Sequence, residues 1–336
     1  MTTSRDVAAA AGVSQATVSR VLNTPDAVSR KTRDRVHAAI DKLGYYPHSG
    51  AIAMKTQRTR TIGVVVSELS NPFFRETFET LSEEFSTAGS RVIVWNSALH
   101  EHDAIRALQE RSIDGVIISA WDENSHDMQE ILSAGLPVVL LNRTSLSRDF
   151  DSITSDNIAG GQLVARYLHE NDRRNLVFVQ GNPETRTSSE RLGGFTNGLQ
   201  LLSAPKPHLI DGDFSFDTTL NATREYIHNY GCPDAFFCAN DYMAFAVINV
   251  LRADGYSIPE DVWVIGYDDV QQSDWPLFDL TTVQQDSRRM AQLGAQRLLE
   301  RIEDPSKPAV KEKLPVRLTI RGSTGHHQFS RSPDGL

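Results

Sequence analysis

Residues 4–22 read SRDVAAAAGVSQATVSRVL, from Ser4 to Leu22. The stretch predicts two short helices around a tight turn. Thr3 or Ser4 is placed to cap the first helix, and Asp6 lies in its first turn, where a carboxylate meets the positive helix end. Val7, Ala8 and Ala11 share one apolar face. Gly12 can take the left-handed conformation that stops a helix. Ser14 suits the N-cap of the second helix, whose inner face carries Val18, Val21 and Leu22. Gln15, Ala16, Ser19 and Arg20 fall on its other face. Helix, glycine-containing turn, helix is the pattern whose second helix can enter a DNA major groove.

The outer face has the chemistry for reading bases. Arg20 can donate two hydrogen bonds to guanine O6 and N7, Gln15 can pair with an adenine edge, and the Ala16 methyl can meet a thymine methyl. The alternative is an ordinary helical hairpin at the start of some domain. A third helix is predicted from Ser29 to Leu43, with Val36, Ala39, Ile40 and Leu43 inward and Gly44 as its cap. Its Arg30, Lys31 and Arg33 could contact phosphates, which position a protein without specifying sequence.

Charge supports this division. The chain of 336 residues carries a net charge of −9, yet residues 1–60 hold ten Lys/Arg and four Asp/Glu. That is +6, leaving −15 for the remainder. A basic tip on an acidic body suits a small DNA-binding module attached to a larger domain. With 40% hydrophobic and 23% charged residues the composition is that of a globular protein. No apolar run reaches the length of a membrane span and no secretion leader is visible, so a cytoplasmic location is expected. Cys232 and Cys238 fit neither a disulfide framework nor a zinc cluster.

From Thr61 the rhythm changes. Ile62 to Val66, Val92 to Trp95, Gly115 to Ile118 and Val138 to Leu141 are short, nearly continuous apolar runs, as expected for strands buried on both faces of a parallel sheet. Helical patterns such as Phe74 to Ala88 and Ile105 to Glu110 lie between them. The alternation recurs with Leu176 to Val179, Leu209-Ile210, Ala235 to Cys238 and Trp263 to Gly266. This predicts an α/β chain with two doubly wound units, the second opening on a helix from Gly160 to His169.

Open parallel sheets bind ligands beyond the carboxyl ends of their strands. The residues there include Asn71, Phe73 and Phe74, then Asn96, Trp121-Asp122, Asn142-Arg143, Gly181-Asn182, Asp211 to Phe214, Asn240-Asp241 and Tyr267 to Asp269. Amide, carboxylate and guanidinium groups beside aromatic faces suit a neutral polyhydroxylated ligand. Asn and Asp also favour turns and caps, and Asp156, Asp241 and Asp269 are expected to be caps or hinge contacts rather than ligand groups.

Asp6-Val7-Ala8, Ala11 to Ser14, Thr17 to Asn23, Val28-Ser29, Thr32-Arg33 and Leu43 to Tyr45 together resemble the head-piece of the lac repressor (LacI/GalR) family. Asn71 to Phe74, Arg191 to Phe195, Ala239 to Asp241, Gly266 to Asp269 and Leu280 to Val283 resemble motifs of that family's effector-binding core. The resemblance implies a helix-turn-helix unit over 1–48 and a hinge over 49–60. It implies a periplasmic-binding-protein-like core over 61–322, with one subdomain at about 61–157 and 284–313 and the other at about 158–283 and 314–322. The tail, 323–336, is expected to be disordered. DNA contacts are expected from Ser14, Gln15, Ala16, Thr17, Ser19, Arg20, Asn23 and Ser29. Met54 stands where the family's hinge helix carries a minor-groove leucine, although Gly50 lowers helix propensity there. Effector contacts are expected from Asn71, Phe73, Phe74, Trp121, Arg143, Arg191, Asn240 and Asp268. Arg191 is expected at a helix start, facing the cleft if Thr187 to Glu190 form a loop.

The function expected is therefore a homodimeric repressor that binds a near-palindromic operator and answers to a small molecule. A sugar is the first choice of effector; a nucleoside or purine, a sugar phosphate or a protein co-regulator is the alternative. No cofactor, metal or catalytic residue is expected. An enzyme on the same scaffold is disfavoured by the lack of a phosphate-binding glycine loop, a nucleophile elbow or a metal-ligand cluster. A transport-type sugar-binding protein would explain the core but not the head-piece.

Overall fold

A computed structural model describes residues 2–45, 58–67, 69–97, 106–107, 109–110, 112–120, 135–144, 150–183 and 185–325. Met54 and Trp121 lie outside the described residues, as does the side chain of Asn23. The chain divides into two compact units, 1–60 and 61–336.

Among its described residues the first unit holds α1 (Ser4–Ala11), α2 (Gln15–Asn23), a 3-10 turn (Pro25–Ala27) and α3 (Arg30–Leu43). Its core is small: Val7, Ala8 and Ala11 of α1, Val18 and Val21 of α2, and Val36 and Ala39 of α3. Leu22 departs from expectation. It is 37% exposed, because Val18 and Val21 already fill the space that α2 turns toward the other helices.

The second unit contains two six-stranded sheets. The first is built from β1 (Thr61–Val66), β2 (Arg91–Asn96), β3 (Gly115–Ile118), β4 (Val138–Leu141), β5 (Asp151–Ser155) and, much later, β11 (Lys311–Leu314). Its order is β11-β5-β4-β3-β1-β2, with every pair parallel. Helix α4 (Pro72–Thr87) and helix α9 (Ser287–Glu303) belong to this half.

The second sheet takes β6 (Leu176–Gln180), β7 (His208–Asp211), β8 (Ala235–Cys238), β9 (Trp263–Asp268), β10 (Thr281–Gln284) and β12 (Arg317–Thr319), in the order β12-β10-β9-β8-β6-β7. All its pairs are parallel except β10 with β12. Helices α5 (Asn157–Glu170), α6 (Arg186–Leu201), α7 (Phe216–Tyr230) and α8 (Asp241–Ala253) flank it. The central strands are buried along their length, which is why they read as unbroken apolar runs. The chain passes between the sheets three times: at 155–157, at 285–286 and at 315–316.

The close approach of α5 and α6 depends on glycine. A Cβ at Gly194 would stand 2.2 Å from the Ile158 carbonyl oxygen, and one at Gly161 would stand 2.3 Å from that of Arg191. Backbone cannot yield as a side chain can. Gly194→Ala is expected to push the two helices apart at a cost of about 1–3 kcal/mol or more. Thermal unfolding should show a lowered Tm; an unchanged Tm would contradict this packing.

The expected disordered tail begins too early. Ser323 and Thr324 are buried in a short 3-10 turn, Gly322–Thr324. The Ser323 hydroxyl donates to the Val264 carbonyl at 2.6 Å, and the Thr324 hydroxyl lies 2.9 Å from that of Tyr167. These bonds dock the segment on the second sheet; residues 326–336 lie outside the described residues.

Candidate operator-reading unit and ligand cleft

In the first unit, local chemistry sets the helix-turn-helix. Thr3 and Asp6 form a reciprocal capping box, with the Thr3 N–H donating to Asp6 Oδ2 at 2.8 Å. Gly12 ends α1 at φ 61°, and the Val13 N–H returns to the Ala8 carbonyl. Ser14 caps α2 by accepting from the Thr17 N–H at 3.1 Å, and its hydroxyl lies 2.9 Å from that of Thr17. Ser29 caps α3 in the same way through Thr32.

Gln15, Ala16 and Arg20 are exposed on α2, and Ser19 is half-buried. The Gln15 amide donates to Ser4 Oγ at 2.8 Å, a bond it must release to reach a base. Two arginines of α3 have partners within the unit. Arg35, which the sequence reading left unassigned, donates to the Ala11 and Gly12 carbonyls, where a cation meets the negative end of α1. Arg33, expected at phosphate, lies 3.8 Å from Asp26.

In the second unit, the carboxyl ends of the strands converge on a cleft with about 420 Å³ of empty space, counting its open mouth. Ser67, Asn71, Phe73, Phe74, Asn142 and Arg143 line it from the half containing the first sheet. Thr187, Arg191, Phe214, Asn240 and Asp268 line it from the other half. The cleft thus brings together seven residues singled out from the sequence: Asn71, Phe73, Phe74, Arg143, Arg191, Asn240 and Asp268.

Each is placed by a local device. Asn71 caps α4, accepting from the Phe73 N–H at 3.0 Å, with Pro72 opening the helix. Asn240 caps α8, accepting from Met243 at 2.9 Å. Both caps use the amide oxygen, which leaves Nδ2, a donor, as the group each can offer a ligand. Phe73 and Phe74 meet edge to face at 5.7 Å. Arg143 is buried and donates to the Asn142 carbonyl at 2.9 Å. Asn142 turns the chain at φ 51°, and its buried Oδ1 has no partner among the described residues.

Arg191 lies in the second turn of α6, because Thr187 to Glu190 are helical rather than a loop. It is 2% exposed. Its Nε donates to Asn157 Oδ1 at 2.9 Å, its Nη1 donates to the Ala239 carbonyl, and its guanidinium stands 3.7 Å above the Tyr267 ring. Nη1 is also 3.7 Å from Asp268 Oδ1. Burial pushes the Asp268 carboxyl well above the usual carboxylate range, and the Arg191 charge opposes it. Burial likewise raises Tyr267 to about 12.

Phe214 and Asn142 were among the strand-end residues but were not singled out; Thr187 was named only as the start of the segment before Arg191, and Ser67 carried no signal. Phe214 sits at φ 56°, directly after Asp213 at φ 50°, which turns its ring back over Gly181. A Cβ at Gly181 would be 2.2 Å from that ring, so only glycine admits it. Beside the cleft, Asp241 is fully buried and raised to about 6, chiefly by burial. It accepts from the Val270 N–H and from the Ser273 and Thr282 hydroxyls, holding the 270–273 turn. From that turn Gln271 crosses to α4: its N–H donates to Glu76 at 2.9 Å and its side-chain oxygen accepts from Arg75 at 3.0 Å.

The same two units recur in known proteins. Residues 3–48 match the family model described as bacterial regulatory proteins, lacI family, and residues 165–324 match that of a periplasmic binding protein-like domain. The HTH-type transcriptional repressor PurR of Photobacterium profundum is 32% identical over 330 residues, covering 96% of this chain and 98% of the relative. The chain belongs to the LacI family. Among solved structures, the lac repressor dimer bound to operator and the anti-inducer ONPF superposes with a TM-score of 0.84 at 27% identity, covering 97% of this chain and 99% of that one. The complex of the transcriptional regulator CelR with cellobiose gives 0.72 at 30% identity, covering 96% and 100%. As a LacI-family member the chain is a DNA-binding transcriptional repressor, with a helix-turn-helix unit and two parallel-sheet subdomains. Among the described residues no helix is long and apolar enough to cross a membrane, and no cluster of His, Cys, Asp and Glu could hold a metal ion.

Proposed function

We propose that this repressor is a homodimer whose operator affinity is set by a neutral, polyhydroxylated small molecule, a sugar or glycoside, bound between the two subdomains. The observation that carries the reading is the composition of the cleft. Donors from Asn71, Asn240, Arg143 and Arg191 face acceptors from Asp268 and Asn142, and the Phe74 and Phe214 rings supply apolar faces. Vicinal hydroxyls donate and accept at once, so they satisfy such a mixture. The CelR complex with cellobiose is consistent with this choice.

A purine or nucleoside is the second reading. It is favoured by the likeness to PurR and by planar groups, Phe214 and two guanidiniums, that can stack on a heterocycle. A thermal-shift screen of the full chain against mono- and disaccharides, purines, nucleosides and sugar phosphates separates the two, because a ligand of the native state raises Tm. A shift with sugars alone supports the first reading; a shift with purines alone replaces it.

On DNA, the proposed base readers are Gln15, Ala16 and Arg20. Ser14, Thr17, Ser19, Asn23 and Ser29 provide the surrounding contacts, and two copies read the halves of a near-palindrome. The domain limits proposed are those of the sequence reading, with residues 323–325 added to the core. Met54 is proposed as a minor-groove wedge on a hinge that Gly50 weakens. Gly50→Ala should then tighten operator binding and Met54→Ala should weaken it. Unchanged affinity and unchanged DNA bending in both would remove the wedge from the account.

A further inference from the structure

Arg191 and Asp268 face the cleft, yet each is also tied to a place where the chain passes between the subdomains. We propose that Gln285, Ser155 and Asn157 are positioning residues that carry the state of the cleft to these crossings, with Gln285 as the joint. The proposal rests on reading the cleft as the effector site.

Gln285 follows β10 in the second crossing and is 3% exposed. Its Nε2 donates to Asp268 Oδ1, and its Oε1 accepts from the Ser155 hydroxyl at 2.7 Å. The amide nitrogen faces a carboxyl oxygen of Asp268 and the amide oxygen faces the hydroxyl, so one side chain bridges the two. Ser155 ends β5 in the first crossing and is fully buried. The second arm is shorter: Arg191 Nε donates to Asn157 Oδ1 at 2.9 Å, and Asn157, also fully buried, opens α5 in the same crossing. The Asp156 N–H donates to the Leu314 carbonyl at 2.8 Å, which ties the first crossing to the third.

A primary amide is planar and rigid. If a ligand draws Asp268 into the cleft, the Gln285 nitrogen must follow or lose its bond, and its oxygen moves with it. The Ser155 bond then strains or breaks. Ser155 is fully buried and its other acceptor, Asn157 Oδ1 at 3.4 Å, lies in the same crossing, so the cost falls on the crossings themselves. Arg191 acts on Asn157 in the same sense.

The test uses the full chain without ligand. Ser155→Ala, Asp268→Asn and the pair are compared by thermal unfolding, in the wild-type background and with Gln285→Met, which keeps bulk and removes the amide. The two sites share Gln285 as a common partner, so the pair should miss the sum of the single Tm shifts by about 2 °C or more. In the Gln285→Met background the shifts should add. Additivity in the wild-type background, or the same discrepancy in the Gln285→Met background, would overturn the proposal; a Gln285 that merely fills space gives additivity throughout. Should Asp268→Asn fail to fold, amide exchange in Gln285→Met decides. Faster exchange at Asp156, with α1 to α3 unchanged, is expected, and unchanged exchange at Asp156 overturns it. No effector is added, so a failed coupling leaves the cleft reading standing, and a cleft that binds no ligand leaves the coupling interpretable.

Discussion

An Asp268→Ala variant is expected to bind operator DNA and to lose its response to effector. Asp268 is 5% exposed at the end of β9, held by Gln285 and faced by Arg191. It is the acidic side chain of the cleft, and removing a buried hydrogen-bonding partner costs about 1–3 kcal/mol, or roughly 5- to 150-fold in affinity. The variant should still fold. Arg191 keeps Asn157, the Ala239 carbonyl and the Tyr267 ring, so its charge is not stranded, although Tm should fall. The helix-turn-helix has its own core and contains none of these groups. The measurement is operator affinity with and without an effector identified by thermal shift, for wild type and variant. An Asp268→Ala protein that responds with unchanged effector affinity would remove this residue from the site.

The second large effect is expected at Arg20. Its guanidinium is exposed on α2, the helix proposed to enter the major groove. If it reads guanine, Arg20→Ala should weaken binding to the preferred operator by about 1–3 kcal/mol and relax preference at one base pair. The salt dependence of binding should stay close to that of wild type. Equal weakening on every sequence, with the salt slope reduced by about one, would make Arg20 a phosphate contact instead.

Much of this architecture was legible because local rules and global fold agree. The Thr3 and Ser14 caps, the Gly12 stop and the apolar strands each announce themselves within a few residues. What escaped the reading is long-range. Strand β5, Asp151–Ser155, is fully buried yet mostly polar. No apolar run marks it, because the Asp151 charge is met by Arg297 and Arg301, some 150 residues later. Ser323 and Thr324 look like tail until their hydroxyls find Val264 and Tyr167. Arg191 was assigned to the cleft by resemblance, and the structure places it one helical turn deeper than expected. Phe214 owes its position to two consecutive left-handed residues, and composition does not reveal backbone angles. Gln285 has no local signature, since its role depends on Ser155 and Asp268 arriving together.

Ligand and operator are proposed to be linked through one chain. The most direct test titrates a ligand that raises Tm into the free protein and into protein saturated with operator. Two dissociation constants that differ by about 5- to 150-fold are expected, matched by an equal change in operator affinity when ligand is present. Equal dissociation constants in the two titrations would contradict it.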